Sequence, residues 1–231
     1  MARTRLVFVT TIVLFLLGMG FISTVSDDQY MLVSVALVMV SIMPFFIRFE
    51  RKKLQAREIV LLALLAAIAA VSRVPFAPLP SVQPTSFVII ISALVFGAES
   101  GFMIGAFAAL VSNMFLGQGP WTPWQMFGWG MLGWTAGLLN RRGILASNRW
   151  LLLSFGLIWG FLFGWIMNLW MATGLLAYGD WPAIAALYAS SFYFDLMHAL
   201  SNAFFLGIFA ASWLKILNRF KSKYGLLEQT G

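Results

Sequence analysis

Apolar runs near the length of a bilayer crossing succeed one another along almost the whole of this chain, and nothing else in the sequence limits its fold as much. A helix needs roughly 20 residues to cross roughly 30 Å of hydrocarbon. Runs of that order read at Leu6–Val25, Tyr30–Phe49, Ile59–Ser72, Thr85–Ala98, Gly101–Leu116, Pro123–Leu139, Trp150–Ala177 and Asp195–Leu217. The residues are 61% apolar and 10% charged, with a mean hydropathy of +0.89. Soluble domains run near about 45–50% apolar and about 25% charged. A soluble globular chain and a disordered one are both excluded, which leaves an all-α integral membrane protein of eight spans.

Three boundaries carry alternatives. The first run competes with a cleaved signal peptide, although Leu6–Ile22 is long for one and no Ala-x-Ala site follows it. The fourth to sixth runs are short, so a re-entrant hairpin over 85–116 is the alternative to two full crossings. Trp181–Phe194 reads either as an interfacial helix or as the outer end of the eighth span.

Charge placement sets the orientation. With the N-terminus inside, every cation except Arg73 falls on the cytoplasmic side: Arg3, Arg5, the run from Arg48 to Arg57, Arg141, Arg142, Arg149, Lys215, Arg219, Lys221 and Lys223. Shifting the parse by one helix destroys this asymmetry, so both termini are expected in the cytoplasm. The net charge of +7 is then a topology signal, and no nucleic-acid partner is expected. The chain has no cysteine and a single histidine, His198. Disulfides, cysteine metal sites and a multi-histidine metal centre are excluded, and no cofactor is expected.

Polar residues inside spans are costly unless they face a partner or a wet cavity. Asn113 and Asn168 fall in the outer parts of spans five and seven. Ser191, Asp195, His198 and Asn202 share about a 60° arc of one helix face. Their convergence suggests a cavity open to the outside. The outer loops add Gln83, Gln118, Trp121, Trp124, Gln125, Tyr178 and Trp181, a set suited to lining the mouth of a binding site. The competing reading is an interfacial belt of Trp and Tyr. Arg73 is either an anion contact or a snorkelling cation. His198 is either a satisfied hydrogen-bonding residue or a ligand contact, and Asp195 stands three residues away, within helical reach of its ring. On span three, Ala63, Ala66, Ala67 and Ala70 form a smooth stripe of about 100° that permits close helix approach, or else packs internally. The chain has no phosphate loop, no H-E-x-x-H and no G-x-S-x-G. An enzyme here would have to work from Asp195 and His198 alone, and a self-sufficient carrier is the remaining alternative.

The stretch Ala56-Arg-Glu-Ile-Val-Leu-Leu-Ala-Leu-Leu-Ala-Ala-Ile-Ala-Ala-Val-Ser-Arg73 resembles the first helix of the substrate-binding S components of energy-coupling factor (ECF) vitamin transporters. The likeness runs through Gln83–Gly97 and Gly101–Gly105 and covers roughly residues 56–218. The block Leu110-Val-Ser-Asn-Met-Phe-Leu-Gly-Gln-Gly-Pro-Trp-Thr-Pro-Trp-Gln-Met-Phe127 resembles the branch assigned to cobalamin. The resemblance implies a six-helix substrate-binding domain over 56–218. An N-terminal hairpin with a basic connector, 1–55, precedes it, and a cytoplasmic tail, 219–231, follows. It implies a non-enzymatic subunit of a bacterial or archaeal cytoplasmic membrane that captures a vitamin, cobalamin by this branch. Its partners would be a transmembrane coupling subunit, contacted through the alanine stripe, and two ATPase subunits.

Overall fold

The computed structural model describes residues 30–50 and 54–227, together with Thr10, Val13 and Leu17, which are helical. The rest of the expected first span, with Arg3, Arg5, Asp27 and Asp28, lies outside the described residues, as do Arg51, Lys52 and Lys53. The described residues form eight α-helices and no strand: α1 (Tyr30–Glu50), α2 (Ala56–Arg73), α3 (Thr85–Phe96), α4 (Ala98–Leu116), α5 (Thr122–Leu139), the single turn α6 (Ile144–Ser147), α7 (Arg149–Ala177) and α8 (Trp181–Tyr224). Seven of them coincide with spans two to eight of the sequence; α6 is a connector. Among the described residues, four stretches are long and apolar enough to cross a membrane: Ala56–Phe76, Ala98–Leu116, Arg149–Leu176 and Trp181–Tyr224. The protein is an all-α integral membrane protein.

The centre of the bundle is α3, whose twelve residues are all buried except Leu94. Its Val- and Ile-rich run is apolar on every side, as a fully enclosed helix must be, and α2, α4, α5 and α8 surround it. At 1.5 Å per residue it is only about 18 Å long. Gly97, at φ 90°, then turns the chain directly into α4, a backbone state that glycine adopts without steric penalty.

Lipid tails are as apolar as leucine, so tight packing rather than water exclusion holds such helices together. Glycine provides the closest approaches. A Cβ on Gly101 would sit 2.6 Å from the Gly133 carbonyl oxygen, and one on Gly105 would meet the Trp129 carbonyl, which fixes the α4–α5 crossing. Between α7 and α8, Gly160 faces the Ala199 backbone and Gly164 the Asp195 carboxylate.

Helix α1 belongs to the same core. Val38, Ile42 and Phe45, spaced along one helical face, are all buried, and Phe45 stacks on Phe102 at 4.0 Å with Trp134 edge-on at 5.8 Å. At the opposite end of the sequence, α8 is one continuous helix of 44 residues. Trp181–Phe194 is therefore the first part of the same helix as the eighth span, and not a separate interfacial helix, and Asp195, His198 and Asn202 lie well along α8 rather than at its start. Beyond Gly225 the chain turns back, burying Leu226. The Leu227 amide donates to Glu58 Oε1 at 2.6 Å, while Glu58 Oε2 accepts from the Gln55 amide at 2.8 Å. The first turn of α2 and the end of α8 are thus joined by one carboxylate.

Candidate functional site

The ends of α2, α4 and α5 meet in a polar network built on Asn113. Arg73, the last residue of α2, donates from Nη1 to Ser112 Oγ at 3.1 Å and to Asn113 Oδ1 at 2.9 Å. Arginine can only donate, so Asn113 presents its oxygen to α2 and its amide nitrogen to α5. That nitrogen donates to Thr122 Oγ1 at 3.0 Å and to Gln125 Oε1 at 2.6 Å. Thr122 in turn donates to Gln118 Oε1 at 2.9 Å, and the Gln118 amide donates to the Leu110 carbonyl at 2.9 Å. Gly117, at φ 106°, ends α4 and starts the turn that brings these side chains together.

Trp129, one helical turn below Gln125 on α5, links this network to a second. The Arg73 guanidinium lies over the Trp129 ring, 5.3 Å from its centroid, and Phe163 stacks on the same indole at 4.8 Å. The indole Nε1 donates to Ser86 Oγ at 3.2 Å, and Ser86 Oγ is 2.8 Å from His198 Nε2. Phe163 also meets the His198 ring edge-on at 5.0 Å. Five helices, α2, α3, α5, α7 and α8, therefore contribute one residue each to a continuous chain of contacts from Arg73 to His198.

Asp195 lies apart from this chain. Its Oδ2 accepts from Ser191 at 3.1 Å, and Ser191 Oγ accepts from Asn168 at 2.7 Å. Among the described residues no hydrogen bond joins Asp195 to His198: the carboxylate is held by Ser191 and the imidazole by Ser86. Asn202 is completely buried and donates to the Gly156 carbonyl at 3.0 Å, holding α7 to α8. Its Oδ1 has no partner among the described residues.

The expected binding residues part company. Arg73, Asn113, Gln118 and Gln125 come together. Trp121 is half-buried beside Trp170, with ring centroids 6.1 Å apart. Trp124, expected at the mouth, is 0% exposed and belongs to the core. Gln83 is held through its backbone, the amide donating to Ser201 Oγ at 3.0 Å and the carbonyl accepting from it at 3.3 Å. With Phe76 edge-on to Phe205 at 5.7 Å, this pins the proline-rich segment 74–84 against α8. Tyr178 and Trp181, on the α7–α8 turn, are each 67% exposed. Ser191 joins Asn168 to Asp195, as its place on the same helix face as Asp195 suggests, whereas nothing in the sequence singles out Ser86, Ser112, Thr122, Trp129 or Phe163. Ser86 and Thr122 carry no span-depth signal at helix starts, and Trp129 is one of ten tryptophans.

The alanine stripe of α2 also divides. Ala66 and Ala70 are buried, at 4% and 0% exposure, against the bundle. Ala63 is exposed and Ala67 half-exposed. They continue an outward face with Val60, Leu64, Ile68 and Val71.

Among models of known families, one described as the S component of an ECF-type riboflavin transporter matches residues 53–219. No curated protein and no solved structure matches the chain.

Proposed function

Because the chain belongs to the family of S components of ECF-type riboflavin transporters, we propose that it captures a flavin at the polar end of its bundle and hands it to an ATP-driven complex. As an S component it is a vitamin-binding transporter subunit rather than an enzyme, and ATP hydrolysis belongs to partner subunits. The observation that carries the reading is the Arg73–Asn113–Gln125 network, continued through Trp129 to His198. Such convergence in an apolar bundle is the expected chemistry of a solute site. Ligand selection would rest on Arg73, Gln118, Trp121, Gln125 and the neighbouring Trp170.

The proposed orientation places this end outside. The other end carries Arg141, Arg142, Arg149, Lys215, Arg219, Lys221 and Lys223, which suits the cytoplasmic face. Of the alanines, Ala63 and Ala67 are proposed to face the transmembrane coupling subunit; Ala66 and Ala70 support α2 from within.

Titrating the purified chain with riboflavin and with cobalamin tests the ligand. Saturable one-to-one quenching of flavin fluorescence is expected. The block at 110–127 motivates cobalamin as the second reading, and tight cobalamin binding without flavin binding would transfer the assignment to it. Uptake should further require co-expressed coupling and ATPase subunits; flux through the chain alone in liposomes would make it a self-sufficient carrier.

A further inference from the structure

Arg73 is only half-buried, and its donors are unevenly used. A guanidinium carries five N–H groups and no acceptor. Those of Nη1 go to Ser112 and Asn113, whereas Nη2 and Nε have no protein partner among the described residues. No described carboxylate pairs with Arg73 either: Asp195 is turned to Ser191 and Glu58 to the backbone at the far end of α2. The cation is nevertheless held still, with one edge fixed by neutral oxygens and its face laid on Trp129. A charged group kept at the end of a membrane helix without a counter-ion is costly. The free Nη2–Nε edge is the fork that takes a carboxylate or phosphate through two parallel hydrogen bonds. Trp129 is covered by Arg73 on one face and stacked by Phe163, so it serves as a support for the cation and not as a platform for a ligand ring.

The geometry points to a substrate bearing an anionic group, a carboxylate or a phosphate ester, which docks on the Nη2–Nε edge of Arg73. This rests on the reading of the network as the solute site and adds the ligand's charge. Neutral partners at Ser112 and Asn113 leave the guanidinium charge uncompensated for that group, and the hydrogen bonds to α4 set the direction of the fork before the ligand arrives.

The test compares riboflavin with riboflavin 5′-phosphate, a neutral and an anionic ligand sharing one ring. The full chain in phosphatidylcholine nanodiscs is titrated with each by flavin-fluorescence quenching, as the native protein, Arg73→Gln and Arg73→Lys. Native protein should prefer the phosphate ester by about tenfold or more, the range of charge-assisted hydrogen bonds. Arg73→Gln should bring the two ligands to the same affinity. Arg73→Lys should keep part of the preference, since it retains charge without the fork, and it carries the comparison if the glutamine variant does not fold. Equal native affinity for both flavins overturns the anion inference and leaves the flavin reading standing. If neither flavin binds, the flavin reading fails, and thermal unfolding in inorganic phosphate against chloride at matched ionic strength decides the inference. A midpoint raised by phosphate in the native protein alone upholds it; no Arg73-dependent difference overturns it. Phosphatidylglycerol discs provide the last arm. A preference that disappears there assigns the fork to a lipid headgroup and overturns the substrate assignment.

Discussion

Asn113 is the residue on which the polar network depends most, because its carboxamide satisfies an obligate donor on one side and two acceptors on the other. Replacing it with leucine of similar size leaves the buried Gln125 and the half-buried Arg73 each short of a partner. Leaving a buried polar group unsatisfied costs about 1–3 kcal/mol. Asn113→Leu is therefore expected to lower the thermal midpoint measurably and to weaken ligand binding at least about tenfold, whereas Trp181→Leu, on the exposed turn, should change neither. Differential scanning fluorimetry and ligand titration on the two variants check this. Asn113 and Arg73 were both legible in the sequence, since a polar residue in an apolar run must be explained. That Arg73 reaches across to α4, instead of up to the headgroups, was not. Its length and charge suit both outcomes, and only the position of Ser112 and Asn113 beside it decides.

Helices were legible wherever apolar runs were bounded by charge or proline, so seven spans coincide with seven helices. Helix pairing was less so. The alanine stripe of α2 stood out as a small-residue pattern, yet the closest crossings are made by Gly101 and Gly105 against α5 and by Gly160 and Gly164 against α8. Small residues announce close approach without naming the partner, which is a non-local property. The split of the stripe gives a sharp contrast. Ala66→Trp would force a large ring into a packed core, costing typically about 1–3 kcal/mol or more, and should impair folding and ligand binding together. Ala63→Trp projects from the outer face and should leave both intact while reducing assembly with the coupling subunit and ATP-driven uptake. Co-purification of the complex alongside binding by the isolated chain separates the two. Unchanged assembly with Ala63→Trp would remove this face from the docking surface.

At the scale of the molecule, α1 packs into the same core as the helices that follow residue 55. Phe45 stacks on Phe102 and abuts Trp134, so α1 shares the packing of α4 and α5. Phe→Ala in such a setting costs about 3–5 kcal/mol. Phe45→Ala should accordingly lower the thermal midpoint of the whole chain in one transition, and a separate early transition confined to the N-terminal helix would show that the hairpin is independent.

The bundle also has unequal height. Along α2 the apolar wall is about 27 Å tall, near the thickness of the hydrocarbon, whereas α7 is about 43 Å long and α8 about 66 Å, by a rise of 1.5 Å per residue. Fitting all of α8 within about 30 Å of hydrocarbon would need an inclination of about 60°, well outside the range of about 0–40° seen for membrane helices. Lipid beside α7 and α8 must stretch, or those helices must stand proud of the surface, while lipid beside α2 rests near its own thickness. Each ångström of mismatch costs a fraction of a kcal/mol, so an excess of tens of ångströms weighs heavily against burying the whole of α8 in the hydrocarbon. The ends of α7 and α8 are therefore the parts of the described bundle expected to reach the headgroups or stand beyond them.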